Sequence, residues 1–299
     1  VCSSDLVRPS QQLAAKGFPV SYALAESLRG TKNITSFPDA ERVYHRNGKP
    51  YQAGEIFVQP DLAKTLDRIA RLGAKDFYEG ETARLIATSM AANGGHITLA
   101  DLRNYNPVER KPLVGKYGPY TVYSAAPPSS GGVGILQMLG MLDGSGYEKS
   151  GSGSAASIHY VAEAMRRFFA DRSEYLGDTD FYKAPMAGLL DPAYIAKRRA
   201  SIDTKKATPS RDIRPGGPPG AESSETTHFN VVDAQGNAVA MTYTINDGYG
   251  SGVMIPGAGF LMNDEMDDFA SKPGSPNLFG LIQGEGNKIE PGKRPLSAM

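Results

Sequence analysis

Between Pro60 and Gly73 the apolar residues Leu62, Leu66, Ile69 and Leu72 return at intervals of three and four. With Asp61 near the start and Gly73 at the end, this spacing predicts an amphipathic helix. A second helix is predicted from Glu81 to Asn93, closed by Gly94 and Gly95. Thr98 and Asp101 have the spacing of a capping box ahead of Leu102. Tyr120 to Tyr123 reads as a short strand running into Ala126-Pro127-Pro128-Ser129-Ser130-Gly131-Gly132, after which Ile135, Leu136, Leu139 and Leu142 predict a buried helix. A Gly/Ser linker follows from Gly144 to Ser154. Ile158 to Tyr175 is again helical by period, with Val161, Met165, Phe168 and Phe169 on the apolar side.

The pattern changes between Thr204 and Glu225, where prolines, glycines and scattered charges leave little apolar material to bury. This stretch is expected to be a mobile connector. Immediately beyond it, His228 to Asp233 and Ala238 to Ile245 are β-rich runs separated by Ala234-Gln235-Gly236-Asn237, a hairpin signal. A helical first half and a strand-rich end fit an α+β class. No internal repeat is visible.

Composition narrows the functions. The 299 residues are 40% hydrophobic, enough for a substantial core. With 32 basic and 32 acidic residues there is no net field to recruit nucleic acid or an anionic membrane surface. The longest apolar runs, such as Gly134 to Leu142, fall far short of the roughly 20 residues a bilayer span needs. Cys2 is the single cysteine and cannot form an internal disulfide. The opening stretch, residues 1–7, reads as foreign to the pattern that follows.

Few residue clusters suggest metal or cofactor chemistry. The four histidines, His45, His96, His159 and His228, are scattered singly. His159 and Glu163 share a helix face at i,i+4, but no third ligand is evident, so a side-chain hydrogen bond is expected there. Ser129-Ser130-Gly131-Gly132 lacks the Gly-x-Ser-x-Gly spacing of a nucleophile elbow and reads as a helix-entry turn. No metal, phosphate loop or organic cofactor is expected.

Thr226 stands at the junction of connector and strand. A threonine hydroxyl is a poor nucleophile at neutral pH, but as the first residue of a chain it can use its own α-amine, pKa about 8, as the base. Breaking the Glu225–Thr226 bond would expose that amine on a rigid element. On local pattern alone the reading that ranks first is that Thr226 and Thr227 are simply β-formers opening a strand.

Resemblance decides between them. Thr226-Thr227-His228-Phe229-Asn230-Val231-Val232-Asp233, Gly236-Asn237-Ala238-Val239-Ala240 and Thr242-Tyr243-Thr244 resemble the start of the small subunit of γ-glutamyltransferases. The likeness continues through Gly250-Ser251-Gly252, Asn263-Asp264-Glu265-Met266-Asp267-Asp268-Phe269, Lys272-Pro273-Gly274 and Lys293-Arg294-Pro295-Leu296-Ser297. Upstream, Pro127 to Gly132 and Ala170-Asp171-Arg172-Ser173-Glu174-Tyr175-Leu176-Gly177-Asp178 resemble large-subunit signatures.

The resemblance implies the αββα sandwich of N-terminal-nucleophile hydrolases, here truncated at both ends. Residues 1–225 would be part of the large subunit and 226–299 the start of the small one, together forming one domain. It implies autocatalytic cleavage between Glu225 and Thr226, with Thr226 then the nucleophile and Thr244 a supporting hydroxyl. Asn246, Glu265 and Asp268 would bind the α-amino end of a γ-glutamyl donor, since a substrate ammonium needs carboxylates and amide acceptors. Ser297 would help hold the α-carboxylate. The usual second serine is Ala298 here, which removes one hydroxyl donor.

Pro273 to Gly284 resembles the family's lid loop, with Phe279 at the position of an aromatic gate, and reads equally as an ordinary connector. The implied partners are γ-glutamyl donors such as glutathione, and water, amino acid or peptide acceptors. The location implied is periplasmic or extracellular. A related cephalosporin or glutaryl acylase, or an inactive family-derived binding scaffold, are the alternatives. The family's carboxylate-binding arginine and its Gly-Gly oxyanion hole fall outside these 299 residues. Losing one oxyanion donor typically costs about a hundredfold to a thousandfold in rate, so the 299 residues alone are expected to be inactive.

Overall fold

The computed structural model describes residues 3–213, 226–278, 280 and 282–297. Their contacts group into two compact units, Val1–Val108 with Asp247–Asp264, and Glu109–Asn246 with Glu265–Met299.

The first unit carries α1 (Ser3–Lys16), α2 (Tyr22–Gly30), α3 (Pro38–Tyr44), α4 (Pro60–Leu72), α5 (Ala74–Glu79), α6 (Glu81–Ala92) and α7 (Leu99–Asn104). Two short antiparallel pairs accompany them: β1 (Phe18–Pro19) with β4 (Ile56–Phe57), and β2 (His45–Arg46) with β3 (Lys49–Pro50). Local chemistry sets the boundaries. Pro60 opens α4, where its missing N–H is no loss. The capping box at α7 is complete: Thr98 Oγ1 accepts the Asp101 N–H at 3.2 Å, while the Asp101 carboxylate accepts the Thr98 N–H at 2.8 Å. Ile86, Leu102, Ile255 and Ala258 form one core cluster, and Leu28, Ile34, Ala40 and Met254 another. A Cβ at Gly259 would stand 2.3 Å from the Leu62 nitrogen, so only glycine lets that turn lie against α4.

The second unit carries the hairpin β5 (Leu113–Tyr117) and β6 (Tyr120–Ser124), then α8 (Gly131–Leu142), α9 (Ala155–Tyr175), α10 (Met186–Leu189), α11 (Pro192–Ala200) and the hairpin β7 (Thr226–Val232) with β8 (Ala238–Thr244). Its core joins Val133, Phe168, Leu176, Leu189 and Leu296. Helix α9 begins three residues before the apolar period does, because Ser154 caps it by accepting the Ser157 N–H at 3.1 Å.

The hairpin turn forms as the sequence predicts. Asp233 accepts the N–H groups of Gln235 and Asn237, and Gly236 takes the positive φ of +84°. Among the described residues the sheets are two-stranded. Phe229, Val231, Val239, Met241 and Tyr243 share one face of β7–β8 and are exposed.

Where it is described, the stretch expected to be a mobile connector bonds to α9 at Thr208. The Glu163 carboxylate accepts the Thr208 N–H at 3.0 Å and the Thr208 hydroxyl at 2.7 Å, and the Arg166 guanidinium donates to the Thr208 carbonyl at 2.8 Å. Charged groups of α9 thus bind the main chain at this one position. Residues 214–225 lie outside the described residues.

Candidate active site

Every site residue expected from the sequence and described here falls in the second unit. The β7–β8 register makes Thr226 the direct cross-strand partner of Thr244 at the open end of the hairpin. Thr244 Oγ1 accepts the N–H of Asn246 at 2.9 Å. Asn246 is buried, 3% exposed, with φ +74°, a left-handed conformation that asparagine tolerates better than most residues. A chain of neighbours thus runs from Thr226 across the ladder to Thr244 and on to Asn246.

The Glu265–Asp268 segment is a 3-10 turn, and Asp268 is 3% exposed. Its placement is fixed from behind. The Asp268 carbonyl accepts Nδ2 of Asn287 at 2.6 Å and Nε2 of Gln283 at 3.1 Å. Asn287, fully buried, uses its Oδ1 to accept the Leu296 N–H at 2.8 Å. One side chain thereby connects the Asp268 turn to the residue preceding Ser297.

Ser297 is held from the other side by the Pro127–Gly132 motif. Its carbonyl accepts the Ser130 N–H at 3.1 Å and the Ser130 hydroxyl at 2.7 Å, while its own N–H donates to the Pro128 carbonyl at 3.0 Å. Buried Arg172 donates to Ser130 Oγ at 2.9 Å and to the Leu296 carbonyl at 3.3 Å. Asp178, also buried, accepts the Arg294 N–H at 3.0 Å and an Arg110 N–H at 3.3 Å. Gly177 is required for the approach: a Cβ there would fall 2.0 Å from the Gly286 carbonyl oxygen.

The two upstream motifs therefore carry positioning groups. Ser130 is both a helix-entry residue and the donor to Ser297, a role its local sequence does not announce. Arg172 and Asp178 stand inside a quoted signature, yet only the fold gives them partners. Asn287 has no sequence signal, and Gln283 is marked only as part of the Pro273–Gly284 stretch.

The model of the family described as gamma-glutamyltranspeptidase matches residues 3–299. The chain belongs to the γ-glutamyltranspeptidase family. It is 46% identical over 298 residues to the glutathione hydrolase proenzyme of Escherichia coli, covering 99% of this chain and 51% of that protein. It thus spans about half the length of the relatives it matches. The crystal structure of Helicobacter pylori gamma-glutamyltranspeptidase is similar at a TM-score of 0.68 and 41% identity, over 71% of this chain and 62% of that one. The cephalosporin acylase of Bacillus halodurans reaches a TM-score of 0.83 at 25% identity, over 100% of this chain and 53% of its own.

The α+β fold of this γ-glutamyltranspeptidase-family chain is that of the N-terminal-nucleophile hydrolases, as the resemblance implies. The family match begins at residue 3, inside the opening stretch that pattern alone sets apart. Three named positions, Glu225, Phe279 and Ala298, lie outside the described residues. The Pro273–Gly284 segment folds back on itself where described, with Pro276 bridging Ile282 and the Leu278 N–H bound to the Asp267 carboxylate at 2.9 Å.

His159 and Glu163 differ from expectation in their partners. His159 Nε2 lies 2.7 Å from the Asp203 carbonyl, while Glu163 binds Arg166 and Arg167, each at 2.7 Å, as well as Thr208. A fully buried carboxylate draws guanidinium groups in preference to an imidazole one turn away. Among the described residues no three His, Cys, Asp or Glu gather as a metal-binding group, and no helix is long and apolar enough to cross a membrane.

Proposed function

We propose that the full-length protein cleaves itself between Glu225 and Thr226 and then catalyses γ-glutamyl transfer and hydrolysis through Thr226. The observation that carries this reading is the pairing of Thr226 with Thr244 at the end of a strand, with Thr244 bonded onward to buried Asn246. A nucleophile at the head of a strand, paired across the ladder with a second threonine, fits that chemistry.

In the first step Thr226 Oγ adds to the Glu225 carbonyl carbon. As the peptide C–N bond breaks, the hydroxyl proton passes to the departing nitrogen, leaving an ester and a free α-amine. Water then hydrolyses the ester, giving a Glu225 carboxylate and restoring the hydroxyl. In turnover the amine, with a pKa of about 8, accepts the Oγ proton as Thr226 attacks the γ-amide carbon of glutathione or a similar donor. That proton leaves on the departing amine. Water or an amino acid or peptide amine then resolves the γ-glutamyl ester.

Asn246, Glu265 and Asp268 bind the donor's α-ammonium in this scheme, and Ser297 its α-carboxylate. The burial of Asp268 supports that role, because a charge-assisted bond gains strength away from water. Identity of 46% to a glutathione hydrolase proenzyme against 38% to an acylase proenzyme supports the γ-glutamyl donor over a glutaryl one. The two chains produced stay together as large and small subunits. We place the protein in the periplasm or outside the cell, on family likeness alone; fractionation with marker enzymes tests this.

Intact mass under denaturing conditions tests the chemistry. The full-length protein should give two chains whose boundary is Glu225–Thr226, and Thr226→Ala one uncut chain. Cleavage that persists before residue 226 in the variant rejects Thr226 as the nucleophile. A folded but uncut wild type favours an inactive scaffold instead.

A further inference from the structure

An α-amino acid carries its ammonium and its carboxylate on a single carbon, so the groups that receive them must keep one fixed spacing. Displacement by about 1 Å can cost about a hundredfold in rate. Asp268 and Ser297 are 29 positions apart in the chain, and among the described residues between them the one regular element is the 3-10 turn Glu285–Asn287, which ends at Asn287. What joins them is Asn287.

Asn287 is fully buried. Its Nδ2 donates to the Asp268 carbonyl at 2.6 Å and also contacts Gln283 Oε1. Its Oδ1 accepts the Leu296 N–H at 2.8 Å, one peptide before Ser297. Its own carbonyl accepts the Ala270 N–H at 2.9 Å, two residues beyond Asp268. Every one of these bonds except that to Gln283 reaches main chain, so the side chain fixes backbone position on both segments whatever their side chains do. An amide is suited to this because it donates and accepts at once; aspartate, leucine and serine cannot reproduce both bonds with the same reach.

We infer that Asn287 is a positioning residue that sets the separation between the ammonium-binding group at Asp268 and the carboxylate-binding group at Ser297. This rests on the reading above that those residues receive the two ends of the donor's amino acid group. Asn287 itself touches no substrate. Its effect is to make the two receptors act as one: a substrate with both groups gains more than the two contributions taken separately.

The test is a cycle of four anilides on the mature full-length enzyme: γ-L-glutamyl, glutaryl without the ammonium, 4-aminobutanoyl without the carboxylate, and butanoyl with neither. In the wild type, losing either group is expected to lower kcat/KM by about a hundredfold, the scale of a charge-assisted bond. Losing both should cost at least about tenfold less than the product of the single losses, which is the signature of coupled receptors. Asn287→Asp keeps an acceptor for the Leu296 N–H but removes the donor to Asp268. It should raise KM for the γ-glutamyl substrate about tenfold, lower kcat by less, and bring the four substrates close to additivity.

A general loss of structure would slow all four substrates together and leave the coupling intact; that result overturns the inference. Gln283→Met is the gentler variant if Asn287→Asp does not mature, since it removes one of the two donors to the Asp268 carbonyl and should reduce the coupling part-way. Unchanged coupling there also overturns it. A wild type that hydrolyses glutaryl and γ-glutamyl anilides equally sinks the substrate reading itself, before any variant is made.

Discussion

Ser130 and Ser297 are 167 positions apart, yet the hydroxyl of the first donates to the carbonyl of the second at 2.7 Å. The same oxygen accepts a hydrogen bond from buried Arg172 at 2.9 Å, so Ser130 relays a guanidinium onto the backbone of Ser297. Ser130→Ala removes one donor and one acceptor from a buried network. It should lower the unfolding free energy by about 1–3 kcal/mol, read by denaturant titration, and raise KM for γ-glutamyl substrates more than it lowers kcat. No change in either quantity would show that the relay is idle.

Asn246 is buried at φ +74°. Any residue with a Cβ other than asparagine or aspartate carries a cost of roughly 1–2 kcal/mol in that conformation. Asn246→Gly and Asn246→Ala both lose the amide, so they should share the loss in substrate affinity. They should differ in stability, with the alanine variant melting lower because only it strains the turn. Equal melting temperatures would mean that the backbone there relaxes.

Glu163 is gripped by Arg166, Arg167 and Thr208. Burial works against its charge, but the hydrogen bonds from Thr208 and Arg167 outweigh that and hold the carboxyl below the usual carboxylate range. The unfolded chain, with an ordinary glutamate pKa of about 4.3, takes up the proton first as acid is added. The stabilisation is therefore complete above about pH 4.3 and fades as pH falls through the lower folded value. Glu163→Gln should flatten the acid limb of the stability curve; an unaltered limb would count against this grip.

Lys205 and Lys206 sit in an exposed span between two anchored carbonyls, those of Asp203 and Thr208. Thr208→Val deletes the hydroxyl bond to Glu163 with little change in volume. Limited trypsin digestion should cut after Lys205 or Lys206 several times faster in the variant, because a protease needs its substrate strand free of other hydrogen bonds. Identical digestion rates would indicate that the remaining bonds suffice.

Gly177 lies against the Gly286 carbonyl, and the obstruction is backbone on both sides. Gly177→Ala must push the 284–288 segment away from α9, and Asn287 moves with it. The expected outcome is a loss of about 1–3 kcal/mol or more in stability together with a raised KM. A variant that keeps wild-type KM while losing stability would show that the displacement stops short of Asn287.

The sequence by itself determined the elements whose cause is local. The helix at Pro60, the capping box at Thr98 and Asp101, and the hairpin turned at Asp233 to Asn237 each depend on residues within a few positions of one another, and each forms where the pattern places it. Family likeness also marked Thr226, Thr244, Asn246, Glu265, Asp268 and Ser297, because those residue types recur in an ordered string. Tertiary structure alone decided what holds them. Asn287 has no periodicity or motif around it, Ser130 looks like a helix-entry turn, and Glu163 looks like half of a pair with His159. Each acquires its role from a partner that is distant in the chain, brought close by the packing of α8, α9 and the segments beside them. A hydrogen bond to a remote main-chain carbonyl leaves no trace in the sequence, because every residue there offers the same carbonyl.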